Sequence, residues 1–253
     1  MFFSTPWFAS NKPRPNAQIR LFCFPYAGGG ASVFYTWSEV LPPTIEVCSV
    51  RLPGRENRIR EAPFTRMEPL VQALAQALIP YLDKPFAFFG HSLGALVSFE
   101  VARQLRKTSG LLPVQLFVSG CGASQVLDSY PPIHALPDAE FIKELHLLNG
   151  LPKEALGYPE LIELMLPTLR ADFAVYETYA YSIESPLDCP VSAFGGLQDG
   201  RVPRDALAAW REQTSASFKL QMFPGDHFFL HTAQAFLLQT IACKLQPVRS
   251  LNP

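Results

Sequence analysis

The chain has no apolar run near the roughly 20 residues that a transmembrane helix needs. Its apolar start, Met1 to Phe8, lacks a basic lead-in and is interrupted by Pro6, so no secretory signal is expected. Cysteine is scarce: Cys23, Cys48, Cys121, Cys189 and Cys243 are odd in number, far apart and never arranged as C-x-x-C. That argues against a disulfide framework. Four of the five lie in or beside apolar segments, where a reduced thiol is a small hydrophobe, so a reducing cytoplasm is the expected compartment. An excess of either charge is also missing. The formal net charge of −1 gives no general reason to bind nucleic acid or an anionic membrane.

What is present is a core. Hydrophobic residues make up 48% of the chain against 17% charged, which places it among globular rather than disordered proteins. Short apolar runs alternate with longer amphipathic segments, the pattern of a mostly parallel sheet flanked by helices. The expected strands are Ile19–Phe24, Glu46–Val50, Phe86–Phe89, Gln115–Ser119, Val191–Gly195 and Lys219–Phe223. The expected helices are Ser32–Leu41, Pro69–Leu82, Leu93–Lys107, Arg204–Glu212 and Thr232–Cys243. Prolines are scattered among loops and element ends rather than gathered into a linker, so residues 1–253 read as one domain. The alternation breaks once, over roughly 70 residues between the fourth and fifth of these strands. There Phe141, Leu145 and Leu148 fall at i, i+4 and i+7 ahead of Asn149-Gly150, a good helix stop. Leu161–Leu166 and Leu169–Tyr181 suggest two more helical pieces separated at Pro167. A helical insertion over about 122–186 is expected to act as a lid. The alternative is a decoration packed away from any pocket.

The strongest chemical signal is Gly90-His91-Ser92-Leu93-Gly94. G-x-S-x-G alone is a weak pattern, but here a buried-strand run precedes it and a helix pattern follows. That is the strand–turn–helix setting of a nucleophile elbow in the α/β-hydrolase fold. Ser92 would then sit at a helix N-terminus, where the amide of Leu93 can stabilise an oxyanion.

A serine nucleophile needs a base, and in this fold the chain order is nucleophile, acid, histidine. His91 lies in the elbow, and His134 and His146 lie in the insertion, which leaves His227 and His231. His227 follows the last strand in a loop; His231 adjoins the final helix, where packing or capping explains it. The acid should follow the strand before, and Asp199 in Gly195-Gly196-Leu197-Gln198-Asp199-Gly200 fits. Asp205 is the runner-up, although its place in the first turn of a helix is explained by the dipole. The turn Phe24-Pro25-Tyr26-Ala27-Gly28-Gly29-Gly30 can turn backbone amides toward the nucleophile, with Ala27 as the second oxyanion donor. It lacks the spacing of a dinucleotide loop and the Lys-Ser/Thr of a P-loop.

Over nearly its whole length the chain resembles the type II thioesterases of polyketide and nonribosomal peptide biosynthesis, kin to thioesterase II of fatty-acid synthesis. The matching stretches are Trp7-Phe8, LFCFPYAGGG from Leu21, LPGRENR from Leu52, KPFAFFGHSLG from Lys84, LPTLRADF from Leu166 and PGDHF from Pro224. The resemblance implies Ser92 as nucleophile, Asp199 as acid, His227 as base, and oxyanion amides on Ala27 and Leu93. It also implies an editing enzyme that removes stalled or wrong acyl groups from the phosphopantetheine arm of carrier proteins. No cofactor is implied, since the pantetheine belongs to the substrate, and a monomer is expected. The lid is the most divergent part, so acyl-chain preference transfers least. Arg51, Arg55, Arg58, Arg60 and Arg66, set against Glu56 and Glu61, could meet an acidic carrier protein or could form local ion pairs in a solvated loop. The alternatives are a general carboxylesterase or lipase, a medium-chain fatty acyl thioesterase, and a non-catalytic binding protein of the same fold. The last would be expected to have lost one of the three triad residues.

Overall fold

The computed structural model describes residues 5–126, 131–148 and 158–246. Seven strands form one sheet: β1 (Phe8–Ala9), β2 (Ile19–Phe24), β3 (Ile45–Val50), β4 (Phe86–His91), β5 (Gln115–Ser119), β6 (Val191–Gly196) and β7 (Phe218–Phe223), in the order β1-β3-β2-β4-β5-β6-β7. Among the described residues the β1–β3 pair is antiparallel and the other five pairs are parallel. This is the expected α/β-hydrolase architecture. The helices are α1 (Trp37–Val40), α2 (Met67–Leu78), α3 (Leu93–Ser109), α4 (Asp138–Leu147), α5 (Pro159–Glu177), α6 (Arg204–Ala208), α7 (Phe229–Thr232) and α8 (Gln234–Leu245).

Alternation along the central strands builds two cores. Phe22, Phe24 and Phe88 face the side covered by α2 and α3, whereas Leu21, Cys23, Ala87 and Phe89 face the side covered by α1, α7 and α8. With helices on both faces, every residue of β3, β4, β5 and β6 is buried, so these strands carry near-continuous apolar runs. Burying each large side chain contributes about 1.5–3 kcal/mol.

Strand positions follow the sequence pattern closely; helix ends do not. The expected Ser32–Leu41 helix is a 3₁₀ turn at Ala31–Phe34 followed by α1, and Arg204–Glu212 divides into α6 and a 3₁₀ turn at Ala209–Gln213. The second expected helix starts early, at Met67, and tightens into 3₁₀ geometry at Ile79–Tyr81 around Pro80. Thr232–Cys243 becomes α7 and α8, divided at Ala233. Apolar spacing marks the face that packs but does not separate α from 3₁₀ turns.

The insertion between β5 and β6 carries α4 and α5. Two helical pieces parted at Pro167 were expected, but α5 runs through this proline as one helix. Proline there costs one backbone hydrogen bond. The packing of Leu166 and Leu169 on Phe141, Leu145 and Ile162 offsets that cost, since all five are buried in one cluster. Phe141 and Leu145 are therefore core, and the partly buried Phe173 packs against them, meeting Phe141 edge-on at 5.7 Å. The expected stop at Asn149-Gly150 lies outside the described residues.

Candidate active site

Four loops at the C-terminal edge of the sheet bring the expected residues to one side. Ala27 follows β2, Ser92 follows β4, Asp199 follows β6 and His227 follows β7. In open α/β sheets this edge is where ligands bind.

Ser92 links β4 to α3 with φ 53° and ψ −121°, a sparsely populated conformation that costs a non-glycine residue roughly 1–3 kcal/mol. The strain follows from how tightly the turn is packed. A Cβ on Gly90 would strike the Gly94 carbonyl, and one on Gly94 would strike the Phe24 carbonyl. The Ser92 amide donates to the Ser119 carbonyl at 2.7 Å, fixing the turn to β5. Its hydroxyl has no hydrogen-bond partner among the described residues.

His227 Nδ1 lies 2.8 Å from Asp199 Oδ2, and the Asp199 side chain is only 1% exposed. Burial acts to raise the Asp199 pKa and is the largest single influence. The hydrogen bond and charge of His227 and the amides of Arg201 and Val202 outweigh it, holding the carboxyl below its ordinary value. Asp199 Oδ1 accepts the Arg201 amide at 3.0 Å, so both oxygens are engaged. Asp205 instead accepts the amide of Ala206 at 3.1 Å, as an acid at a helix start does. No hydrogen bond joins Ser92 Oγ to His227 here; such contacts are often long before substrate tightens them.

The amides of Ala27 and Leu93 donate to no group among the described residues, whereas Gly28 and Gly29 next door are both engaged. Leu93 opens α3, so its N–H is one of the orphan donors of a helix start.

His91, expected only as part of the elbow, anchors His227. Its Nε2 donates to the His227 carbonyl at 2.9 Å, and its Nδ1 accepts from Ser119 Oγ at 2.9 Å. A carbonyl can only accept, which assigns the proton to Nε2. Burial, helped by the proximity of His227 and opposed by its carbonyl, pushes His91 well below the usual histidine pKa. Folded His91 thus stays neutral where the unfolded chain's histidine takes up a proton. That stabilisation is present above about pH 6.5 and is lost as pH falls toward the folded value. Urea unfolding from about pH 7 to about pH 5 should show wild type losing more stability than His91→Asn. Equal pH dependences would contradict the neutral assignment. His231 meets Tyr26, with the hydroxyl 3.1 Å from Nε2, in the packing role expected of it.

The basic stretch resolves mainly into internal pairs. Arg55 binds Asp172, Arg58 binds Glu61 and Arg51 binds Glu56, leaving Arg60 and Arg66 exposed. Among the described residues, no cluster of His, Cys, Asp and Glu could hold a metal, and no helix is long and apolar enough to cross a membrane.

The thioesterase-domain family model matches residues 19–245. The chain belongs to the thioesterase family. This thioesterase is 48% identical over 242 residues to the gramicidin S biosynthesis protein GrsT of Aneurinibacillus migulanus, covering 96% of this chain and 94% of GrsT. It is 48% identical over 243 residues to a Brevibacillus parabrevis protein named linear gramicidin dehydrogenase LgrE, covering 95% and 92% of the two chains. Among solved structures, the type II thioesterase BorB of the borrelidin biosynthetic cluster superposes with a TM-score of 0.88 at 34% identity, covering 95% and 98%. The dehydrogenase in the second name has no counterpart in the loop after β2, whose PYAGGG run lacks G-x-G-x-x-G spacing.

Proposed function

We propose that this thioesterase is a type II enzyme, clearing stalled or wrong acyl groups from the phosphopantetheine arms of carrier proteins in a polyketide or nonribosomal peptide synthase. The observation that carries the reading is the Ser92 hydroxyl, without a partner among the described residues, on a strained strand-to-helix turn at the sheet edge that also holds the His227–Asp199 pair. In the proposed reaction Ser92 Oγ attacks the thioester carbonyl carbon and passes its proton to His227 Nε2. Asp199 holds the imidazole through Nδ1 and stabilises the imidazolium. The oxyanion is received by the Ala27 and Leu93 amides; one such donor is worth about 10²–10³ in rate. The C–S bond then breaks, His227 returns the proton to the departing sulfur, and an acyl ester remains on Ser92. Water, deprotonated by His227, releases the acid and restores Ser92. A thiolate leaves readily, its conjugate acid having a pKa near ~8.5, so the reading requires no cofactor.

The α4–α5 insertion is proposed as a lid of the single domain, and the enzyme as a monomer acting in the cytoplasm. The buried thiols support a reducing compartment. Burial raises all four buried cysteines, Cys121 and Cys189 to about 12, which leaves them inert.

The test compares one acyl group on a phosphopantetheinyl carrier protein and on N-acetylcysteamine. Remote contacts to the arm and protein can orient the carbonyl, so kcat/KM should be at least about tenfold higher on the carrier protein. Equal constants would remove the carrier-protein claim, and activation at an oil–water interface would favour a lipase.

A further inference from the structure

Helix α5 is seated directly on the loop after β2. Gly28 adopts φ 75°, and a Cβ there would collide with Leu169. One turn on, Asp172 Oδ2 accepts the Gly28 amide at 2.7 Å. Arg55 Nη1 donates to the Gly29 carbonyl at 3.1 Å and to Asp172 Oδ2 at 2.8 Å, while Nη2 reaches Oδ1 at 2.7 Å. Arg55 Nε donates to the Pro53 carbonyl at 3.3 Å. The two side chains are only 7% and 4% exposed. Thr168 Oγ1 donates to the Gly54 carbonyl, tying the segment that carries Arg55 to the same helix.

A buried ion pair is a poor source of net stability, because desolvation cancels much of the attraction. What this pair supplies is direction. The Gly28 N–H lies in the rigid peptide plane that ends at the Ala27 Cα, so gripping it restricts the orientation of Ala27. The Gly29 carbonyl is gripped by the same guanidinium.

We infer that Arg55 and Asp172 are positioning residues that aim the Ala27 amide at the oxyanion and make that aim depend on the seating of α5. The inference rests on the oxyanion role proposed for Ala27. Neither side chain is assigned a contact with the reacting atoms.

The test uses Asp172→Asn and Arg55→Lys in the full-length enzyme, with Arg20→Lys as control at the Arg20–Glu46 pair, where β2 begins on the opposite edge of the sheet. Three quantities are measured: kcat and KM, melting temperature, and affinity for two inert analogues. A trifluoromethyl ketone forms a hemiketal when Ser92 oxygen bonds its carbonyl carbon; the bond's electron pair moves onto oxygen and the serine proton goes to His227. The matching thioether forms no oxyanion. Asp172→Asn and Arg55→Lys should lower kcat about 10–100-fold, less than loss of a whole donor, and change KM less than about threefold. Ketone affinity should fall in proportion to kcat/KM while thioether affinity holds. Arg20→Lys should lower only the melting temperature. If either pair variant fails to fold, Thr168→Val, which unpairs no charge, should show a smaller loss of the same kind. Ketone preference retained in full by the folded variants would overturn the inference. Wild type that binds ketone no better than thioether would instead overturn the oxyanion assignment itself.

Discussion

Ser92→Ala is expected to lower thioester hydrolysis by on the order of 10⁵–10⁶-fold while leaving the fold unchanged. The large effect follows from losing the proposed nucleophile, after which only binding and oxyanion contacts remain to act on water. The small structural effect follows from the turn. The Ser92 hydroxyl has no partner among the described residues, and alanine meets the same positive φ of 53° with the same Cβ. Stability should stay within about 0.5 kcal/mol of wild type. A fluorophosphonate should label wild type at Ser92, read by peptide mass, and should not label the variant. Labelling that persisted in Ser92→Ala would assign the nucleophile elsewhere.

Asp199→Asn should lower kcat by on the order of 10⁴, with little change in KM. Asp199 Oδ2 sits 2.8 Å from His227 Nδ1, and as a carboxylate it can only accept, so the proton is held on Nδ1 and Nε2 is free to take the Ser92 proton. An asparagine can present its amide group instead. That favours the opposite tautomer and removes the charge that stabilises the imidazolium. Because its surroundings hold Asp199 below the ordinary carboxylate value, it stays ionised above about pH 5, and loss of activity there on acidification is not its titration. Asp205→Asn should change kcat less than about twofold, since among the described residues Asp205 engages only the amide of its helix neighbour Ala206. Steady-state kinetics of the two variants decides between them. A large loss in Asp205→Asn with a small one in Asp199→Asn would make Asp205 the acid.

Much of this was legible because the signals are local. A run such as Phe86–Phe89, four apolar residues between Pro85 and Gly90, reads as a strand covered on both faces, and the glycines flanking Ser92 mark a tight turn. His227 and Asp199 were singled out because chain order in this fold assigns each proposed role to a loop after a named strand, and they meet at 2.8 Å. The adjoining candidates are explained by nearer neighbours, Asp205 by its own helix start and His231 by Tyr26. Strand β1 escaped notice because two residues, Phe8 and Ala9, carry no periodicity and are defined only by pairing with Val50 and Ser49. The unbroken α5 escaped for a related reason. Pro167 is a local breaker, and what overrides it is contact with α4, which no window around the proline contains.

The sequence by itself determined which loops carry the candidate residues Ser92, Asp199 and His227, because alternation, glycine spacing and chain order are short-range or topological properties. Tertiary structure alone decided which distant charges face each other. Arg55 and Asp172 stand 117 positions apart in two motifs, and in the sequence Arg55 is one of five arginines that could equally have faced solvent. Folding α5 onto the β2 loop removes both groups from water, where each must find its counter-charge and every hydrogen-bond partner within reach. Only packing dictates that the partners include the Gly28 amide and the Gly29 carbonyl. His91 shows the same division. Its place in the elbow is written in the sequence, but its single available tautomer is set by the His227 carbonyl, 136 residues away.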